Sequence, residues 1–503
     1  MEDAERIRRI VIVGGGTAGW MVAAALAKVV GTRTHSITLV ESDQIGTVGV
    51  GEATIPPIAL FNKLLGIDED TFVRETGGTF KLGIEFVDWL RLGHRYMHSF
   101  GLFGVDMNGI PFTHYWLRSM RNGAATDKDL FNAEAEAARQ GRFARTPPGA
   151  PATMPRINYA FQFDAGRYAA FLRSHAEERG VERVEGRVAQ VGRDSASGVL
   201  TDLLLDDGRT LGADFFVDCS GFGGLLIEKT LGAGYQDWSR WLPANRAVAV
   251  PCARSGTLLP YTRATAREGG WQWRIPLQHR TGNGYVFSDG FVSETAATDA
   301  LMGRLDGEPL ADPRVLKFVT GCRQRSWIGN CVAVGLSSGF LEPLESTSIH
   351  LIQAAISKLL AFFPQRRIEP AIAERFNREM TLLYETTRDF LVAHYKLTER
   401  DDTEFWRYCR TMDVPDTLRA KLDLFRSRGE VMPAGHELFR EGNWFAVLYG
   451  QGLEPDGYHP IADALAADEL GRRLDQIRAG VGARVATMPA HSAFVARCCA
   501  APA

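Results

Sequence analysis

Ile10-Val11-Ile12-Val13-Gly14-Gly15-Gly16-Thr17-Ala18-Gly19 decides the fold of this chain. The first four residues form a short apolar run of the kind that makes a buried parallel strand. Gly14, Gly16 and Gly19 then satisfy the spacing GxGxxG, and Trp20 to Val30 reads as a helix. Gly14 permits a tight turn, Gly16 lets the backbone approach a pyrophosphate, and Gly19 lets helix and strand pack closely. The helix start around Thr17 and Ala18 offers free N–H groups and a positive dipole end to that phosphate. A second strand over Ser36 to Val40 ends at Glu41, placed to hydrogen-bond a ribose hydroxyl and to repel a 2′-phosphate. A lone GxGxxG says little. Strand, loop, helix, strand and acid in this order specify a dinucleotide-binding α/β unit, with FAD or NAD as its cofactor.

Two later stretches favour FAD. Asp214 to Asp218 is a strand followed by Cys219-Ser220-Gly221, and Cys331 to Val334 is another followed by Gly335. An extended dinucleotide with a flavin at its far end uses several strand ends of one sheet. No second GxGxxG follows, so a flavin here would be reduced elsewhere.

The bulk properties exclude several classes. The 503 residues are enough for two or more lobes. A formal net charge of −3 gives no basic footprint for nucleic acid. No apolar run is long enough to span a bilayer, and Met1 to Arg6 is acidic rather than a signal peptide. Seven cysteines with no CxxC pair fit reduced thiols in a cytoplasm, with Cys498-Cys499 on a loose tail. No His/Cys cluster has metal-ligand spacing, and His98 and His350 read as structural.

Three further stretches carry chemistry. Trp271-Gln272-Trp273-Arg274-Ile275-Pro276 alternates, putting Trp271, Trp273 and Ile275 on one strand face. Pro276 ends the ladder, His279 to Gly284 supplies a turn, and Tyr285 to Phe287 returns as a half-buried hairpin. Thr79 to Trp89 also alternates, with Phe80, Leu82, Ile84 and Phe86 on the buried face. Lys81, Gly83 and Glu85 take the other face, where a lysine is ordinarily solvated and paired with Glu85. Enclosure would instead make Lys81 a proton donor or amine nucleophile. Finally, Ile349 to Phe363 has helical periodicity, with Ser346 or Thr347 as its N-cap. Its first N–H groups, near Thr347 and Ser348, can receive an anion. The dipole favours the carboxylate of Glu345, and capping alone accounts for that acid.

With these pieces the chain resembles the flavin-dependent tryptophan halogenases, from the first strand to about Gly452. The matching residues are Gly14 to Gly19, Gly49-Val50-Gly51-Glu52-Ala53-Thr54-Ile55-Pro56, Phe80-Lys81, Trp271 to Pro276, and Pro343-Leu344-Glu345-Ser346-Thr347. The glycine loop is shared with many flavoproteins; WxWxIP and the lysine–glutamate pair are specific to these halogenases. The resemblance implies an α/β fold, with a Rossmann-like FAD-binding lobe of the aromatic-hydroxylase type, additional β-sheet and a mainly helical C-terminal lobe. It implies FAD reduced by a separate flavin reductase, with oxygen and chloride or bromide as co-substrates. Hypohalous acid made near the flavin would travel through a tunnel to Lys81, which hydrogen-bonds it or forms a haloamine. Glu345 would orient or polarise that species and accept the ring proton. The halide would lie at the backbone of Thr347 and Ser348. Flavin contacts would include Gly51, Glu52 and Ala53 on a mobile strap, Val188 beside adenine, and Leu336 and Ile349 flanking the isoalloxazine. Phe103, Trp444 and Glu441 would meet a small aromatic substrate, and the tryptophan wall would part flavin from substrate. The resemblance also leaves room for a homodimer.

Two departures stand out. The family has glycine after the ESTG threonine, where this chain has Ser348. Were φ positive there, serine would cost about 1 kcal/mol. The tyrosine pair of enzymes that clamp free tryptophan is absent from Leu438 to Phe445. Trp444 could stack on an indole and Glu441 could bind an ammonium group, but surface packing accounts for both equally well, and without the tyrosine pair indole or another electron-rich aromatic competes with tryptophan.

The expected organisation is an FAD lobe over residues 1–370, interrupted by tunnel segments at about 91–155 and 241–315. A helical substrate lobe over 371–503 follows, as in Arg375 to Tyr395 and Asp402 to Met412. Two other readings stay open: a single-component aromatic hydroxylase or flavin-dependent reductase, and a non-catalytic flavin-binding or redox-partner protein.

Overall fold

The glycine-loop strand Arg9–Val13 lies inside a six-stranded sheet, in a computed structural model that describes residues 6–44, 51–124, 126–151, 154–364, 368–435 and 437–502. It pairs in parallel with Ser36–Glu41 on one side and Phe215–Asp218 on the other. Glu182–Glu185 extends the sheet beyond Ser36–Glu41, and Cys331–Ala333 extends it beyond Phe215–Asp218. Only the last strand, Trp327–Ile328, runs antiparallel. Val11, Val13, Val40, Phe216 and Ala333 build one buried layer beneath it. The helix after the glycine loop spans Thr17–Val29, one turn earlier than its apolar periodicity implies. Small polar residues at its start carry no periodicity, yet the loop geometry places them in the helix. Asp164 caps Ala165–Glu177 by accepting from the N–H groups of Gly166 and Arg167.

The chain divides into two units, each gathered from three segments. The first comprises Met1–Gly77, Phe163–Ser239 and Phe318–Glu385; the second comprises Gly78–Gln162, Arg240–Lys317 and Thr386–Ala503. The segments expected as insertions into the flavin lobe therefore cluster with the C-terminal helices, not with the glycine loop.

The second unit is built on a seven-stranded sheet, in the order Arg314–Lys317, Arg246–Ala253, Arg280–Phe287, Gly270–Pro276, Thr262–Arg267, Gly83–Val87, Arg95–Ser99. The tryptophan strand is thus interior, and its hairpin turn is tighter than expected. The return strand already begins at Arg280, and Thr281 stands opposite Pro276. Trp271, Trp273 and Ile275 are buried, and so is Gln272 on the other face, because the strand has neighbours on both edges and cover on both sides. The C-terminal region is largely helical, through Glu404–Thr411, Asp416–Arg428, Glu441–Gly450, Ala467–Ala486 and His491–Cys498. Its end is no loose tail. Cys499 is buried and its carbonyl accepts from Gln278 Nε2 at 3.0 Å. Among the described residues no helix is long and apolar enough to cross a membrane.

Thr79 to Trp89 is not one strand. Thr79–Lys81 pairs antiparallel with residues 160–162, whereas Gly83–Val87 belongs to the seven-stranded sheet. Between them, Leu82 N–H donates to Pro260 and the Leu82 carbonyl accepts from Phe100 N–H. Gly83 makes the switch feasible, since a Cβ there would stand 2.5 Å from the His98 carbonyl oxygen.

Candidate functional site

In the first unit the glycine loop forms a cradle. Gly14 has φ +112°, and a Cβ on it would stand 2.3 Å from the Cys219 carbonyl oxygen. A Cβ on Gly19 would stand 1.8 Å from the Gly14 carbonyl oxygen, so helix and strand close up only because both are glycine. Gly16 differs: a Cβ there meets nothing within 4 Å. Its side of the loop is open, as approach of a pyrophosphate requires. Gly16 is also the N-cap of Thr17–Val29 and brings no side chain to the first N–H groups, those of Thr17, Ala18 and Gly19. Glu41 closes the cradle at the next strand end. A Cβ on Gly15 would lie 1.4 Å from Glu41 Oε2, so Gly15 makes room for this carboxylate.

Glu41 is held by Arg183, whose Nε donates to Oε1 at 2.5 Å, while Arg173 Nη1 stands 3.7 Å away. Arg183 comes from the neighbouring strand Glu182–Glu185 and also bridges Asp43 and Glu185. No motif marks Arg183; only the strand register brings it to Glu41. Asp218, fully buried, accepts from Ser220 N–H and from the N–H groups of Leu226 and Ile227, fastening the turn beneath Gly14. The turn Gly335–Ser337 presses on the helix start, where a Cβ on Gly335 would stand 2.7 Å from Ala18 Cβ. Leu336 in that turn is half-buried, as is Val188 at the head of Val188–Arg193. Gly51–Ala53 is a short strand in which burial pushes the Glu52 carboxyl up to about 7. Gly49 and Val50 lie outside the described residues.

The acid that precedes the second helix is enclosed. Glu345 ends a short turn, Pro343–Glu345, and has no exposed surface. The helix itself spans Ser348–Ala361. Ser346 takes φ +58°, and Ser348 does not adopt a positive φ, so the strain anticipated at 348 sits two residues earlier. That left-handed residue turns the chain sharply into the helix. Thr347 occupies the N-cap position with φ −89° and ψ −12°, and its side chain does not cap the helix. A cap needs extended backbone at that position, and Thr347 is helical instead. Its Oγ1 is buried with no hydrogen-bond partner among the described residues. The N–H groups of Ser348 and Ile349 precede the first residue able to bond within the helix. The buried Thr347 hydroxyl thus stands at the first N–H groups of this helix. Ile349 is buried at the same turn.

In the second unit Lys81 is as enclosed as Glu345, with no exposed surface. The solvated lysine anticipated on an open strand face is not observed, because a short strand that changes sheets is covered on both faces. Glu85, its anticipated partner, is taken by Arg95 at 3.2 Å and Arg263 at 2.6 Å. The Lys81 ammonium lies 5.2 Å from the centre of the Phe100 ring, a cation–π arrangement. Phe80, beside it, stacks on Phe143 at 4.3 Å.

Trp271 packs 6.2 Å from Trp273 and 6.5 Å from Trp89, with Trp89 edge-on to Tyr395 and Trp406. The Trp273 ring lies over Gly284, where a Cβ would stand 2.0 Å from it. The wall read in the sequence is thus real as packing. Phe103 is buried edge-on to Phe445 at 5.6 Å, which brings it to the helix Glu441–Gly450 that carries Glu441 and Trp444. Glu441 is exposed at the first turn of that helix. Trp444 has no exposed surface, with Phe390 edge-on at 4.8 Å and Lys421 Nζ at 5.0 Å. An indole would have to displace one of them to stack on it. Lys81 thus belongs to one unit with Phe103, Glu441 and Trp444, and Glu345 to the other with the glycine cradle. Among the described residues no group of three His, Cys, Asp or Glu side chains could hold a metal ion.

Comparison with known proteins adds four findings. A family model described as tryptophan halogenase matches residues 9–467. The chain is 38% identical to the tryptophan 7-halogenase RebH of Lentzea aerocolonigenes, over 90% of this chain and 91% of the relative. Among solved structures it is similar to Xcc4156, a flavin-dependent halogenase from Xanthomonas campestris, with a TM-score of 0.96 and 48% identity over 99% of both chains. It is also similar to BrvH, a flavin-dependent halogenase from Brevundimonas sp. BAL3, with a TM-score of 0.94 and 46% identity over 98% of this chain and 99% of the other.

Proposed function

The chain belongs to the tryptophan halogenase family, and from that premise we propose how this flavin-dependent halogenase divides its work among named residues. Bound reduced FAD supplies the oxidation of chloride or bromide by oxygen to hypohalous acid. The backbone at Gly14, Gly16 and Gly19 and the N–H groups of Thr17 and Ala18 hold the pyrophosphate. Glu41, oriented by Arg183, accepts from a ribose hydroxyl. Val188 lies along adenine, while Gly51, Glu52, Ala53, Leu336 and Ile349 line the ring system. The open side of Gly16 and the room that Gly15 leaves for Glu41 both fit such a dinucleotide.

The halide rests at the N–H groups of Thr347 and Ser348. The buried Thr347 hydroxyl, unpartnered among the described residues, adds a third donor. Lys81 receives hypohalous acid, either by donating a hydrogen bond to it or, as the free amine, by forming N–halogen with loss of water. Transfer of the halogen to a ring carbon releases the ring proton and restores the amine. Glu345 polarises the halogenating species and takes that proton. Phe103 is a wall against which a small, electron-rich aromatic ring lies, with Trp444 and Glu441 on the adjoining helix. The missing tyrosine pair and the exposed Glu441 favour indole or an indole derivative over free tryptophan. A separate reductase supplies reduced flavin, consistent with the single glycine fingerprint.

One observation carries this reading: Lys81 and Glu345 are both ionisable residues without exposed surface. Burying a charge costs several kcal/mol unless the site uses or pairs it. The test supplies FAD, a flavin reductase, NADH, oxygen and bromide or chloride with tryptophan, indole, a phenol and a pyrrole. Mass spectra should show halogen isotope patterns in at least one ring product. Hydroxylated products alone would reject the assignment of roles and point to oxygen transfer.

A further inference from the structure

We infer that His491, on the C-terminal helix His491–Cys498, is a positioning residue that holds the backbone of the Lys81 strand. The inference rests on the role proposed above for Lys81. Thr79–Lys81 is three residues long and stands at the edge of its sheet. Edge strands leave backbone groups without a strand partner, and so short a strand has little register of its own. Its outer edge is instead held by an imidazole. Phe80 N–H donates to His491 Nε2 at 3.2 Å, and His491 Nδ1 lies 2.9 Å from the Leu258 carbonyl oxygen. A carbonyl can only accept, so Nδ1 carries the proton and Nε2 offers its lone pair to Phe80. The fully buried ring therefore ties one backbone segment to another.

Two further ties fix the neighbouring residue. Thr79 Oγ1 donates to the Pro276 carbonyl oxygen at 2.8 Å, joining the lysine strand to the end of the tryptophan strand. Gln162 Nε2 donates to Thr79 Oγ1 at 3.1 Å, and Thr262 Oγ1 donates to Gln162 Oε1 at 3.1 Å. Phe494, one turn along the helix from His491, meets the Phe80 ring edge-on at 5.4 Å. Lys81 is the next residue. A side chain as long as lysine magnifies a backbone shift at its root, and a displacement of about 1 Å at a reacting group can cost ~10²-fold in rate.

The experiment compares His491→Leu, His491→Gln, His491→Asn and Lys81→Ala in the full chain with reductase, NADH, bromide and indole. Halogenated indole and free hypohalous acid, caught by a β-diketone scavenger, are both measured per NADH consumed, alongside FAD affinity. The leucine variant is expected to keep FAD affinity and total oxidant within ~2-fold, yet lose halogenated product by ~10-fold or more, with oxidant escaping to the scavenger. The glutamine variant places an acceptor near the Nε2 position and should recover product to within ~3-fold of the parent. A merely structural role would lower oxidant and product together, and that result overturns the inference. So does unchanged product in the leucine variant. Should the leucine variant not fold, glutamine is compared with asparagine, whose shorter amide reaches only toward Leu258. Product retained by glutamine and lost by asparagine supports the inference; equal values overturn it. Undiminished halogenation by Lys81→Ala would remove the role of Lys81 itself, and with it the inference, whatever the His491 variants do.

Discussion

Thr347 combines two facts that pull a substitution in opposite directions. Its hydroxyl is buried without a partner among the described residues, and it stands at the first free N–H groups of a helix. An unsatisfied buried hydroxyl costs stability, and its removal at constant volume is neutral or stabilising. Thr347→Val should therefore leave the melting temperature unchanged or raise it, while KM for bromide rises ~3- to 10-fold. A lower melting temperature with an unaltered KM would show the hydroxyl to be a packing group. Glu345→Gln should lower kcat by ~10²-fold or more without weakening FAD, because it removes a proton acceptor and keeps the shape. Gly15→Ala acts elsewhere. Its Cβ would also stand 2.6 Å from Glu41 Cβ, so the strand end must move. FAD fluorescence titration should register a loss of affinity of ~10-fold, since a ribose contact is worth about 1.5 kcal/mol. Lys81 and Glu345 were recognisable from the residues around them, but not their enclosure. Alternation places a side chain on a face and says nothing of what covers that face.

Elements show where periodicity misleads. Thr79 to Trp89 alternates without interruption, yet its two halves belong to different sheets. The break at Leu82 leaves no mark in a two-residue repeat, because Phe80, Leu82, Ile84 and Phe86 stay buried through it. Gly83 was the one available signal, a glycine inside a strand pattern. Gly83→Ala should destabilise the fold by about 1–3 kcal/mol in urea, since its Cβ meets the His98 backbone rather than a side chain that can yield. The glycine-loop strand and the hairpin of Gly270–Pro276 were legible because both rest on local rules, one of turn geometry and one of alternation. The C-terminal helix was not, since its role comes from His491 meeting Phe80 across the sequence. That histidine also makes an acid-sensitive joint. Burial pushes its imidazole down to about 4, whereas an unfolded chain titrates near 6.5. Between those values the unfolded state binds the proton and the folded state does not. The contribution is therefore complete above about pH 6.5, shrinks as pH falls, and is gone below about pH 4. Urea melts across this window should show His491→Gln losing less stability on acidification than the parent, by up to about 3 kcal/mol.

The whole chain passes repeatedly between two units, so neither is a contiguous stretch. Cutting after residue 370, where composition turns helical, would strip the second unit of the helices that carry Trp406 and His491. Truncation there should yield an insoluble chain or one that binds FAD without halogenating; a soluble, active fragment would show the C-terminal helices to be dispensable. The mixed α/β class was legible because strand, glycine loop, helix and strand come in a strict order, and the largely helical C-terminal region was legible from its periodicity. The division was not, because long-range sheet pairing gathers segments that composition keeps apart. The central claim is that Lys81 carries the halogen to the ring while oxidant is made without it. Lys81→Met, which keeps the bulk and removes the amine, tests this most directly in the reductase-coupled reaction with bromide and indole. Total hypohalous acid should match the parent and halogenated indole should be absent. Halogenated indole at the parent's rate would contradict the account.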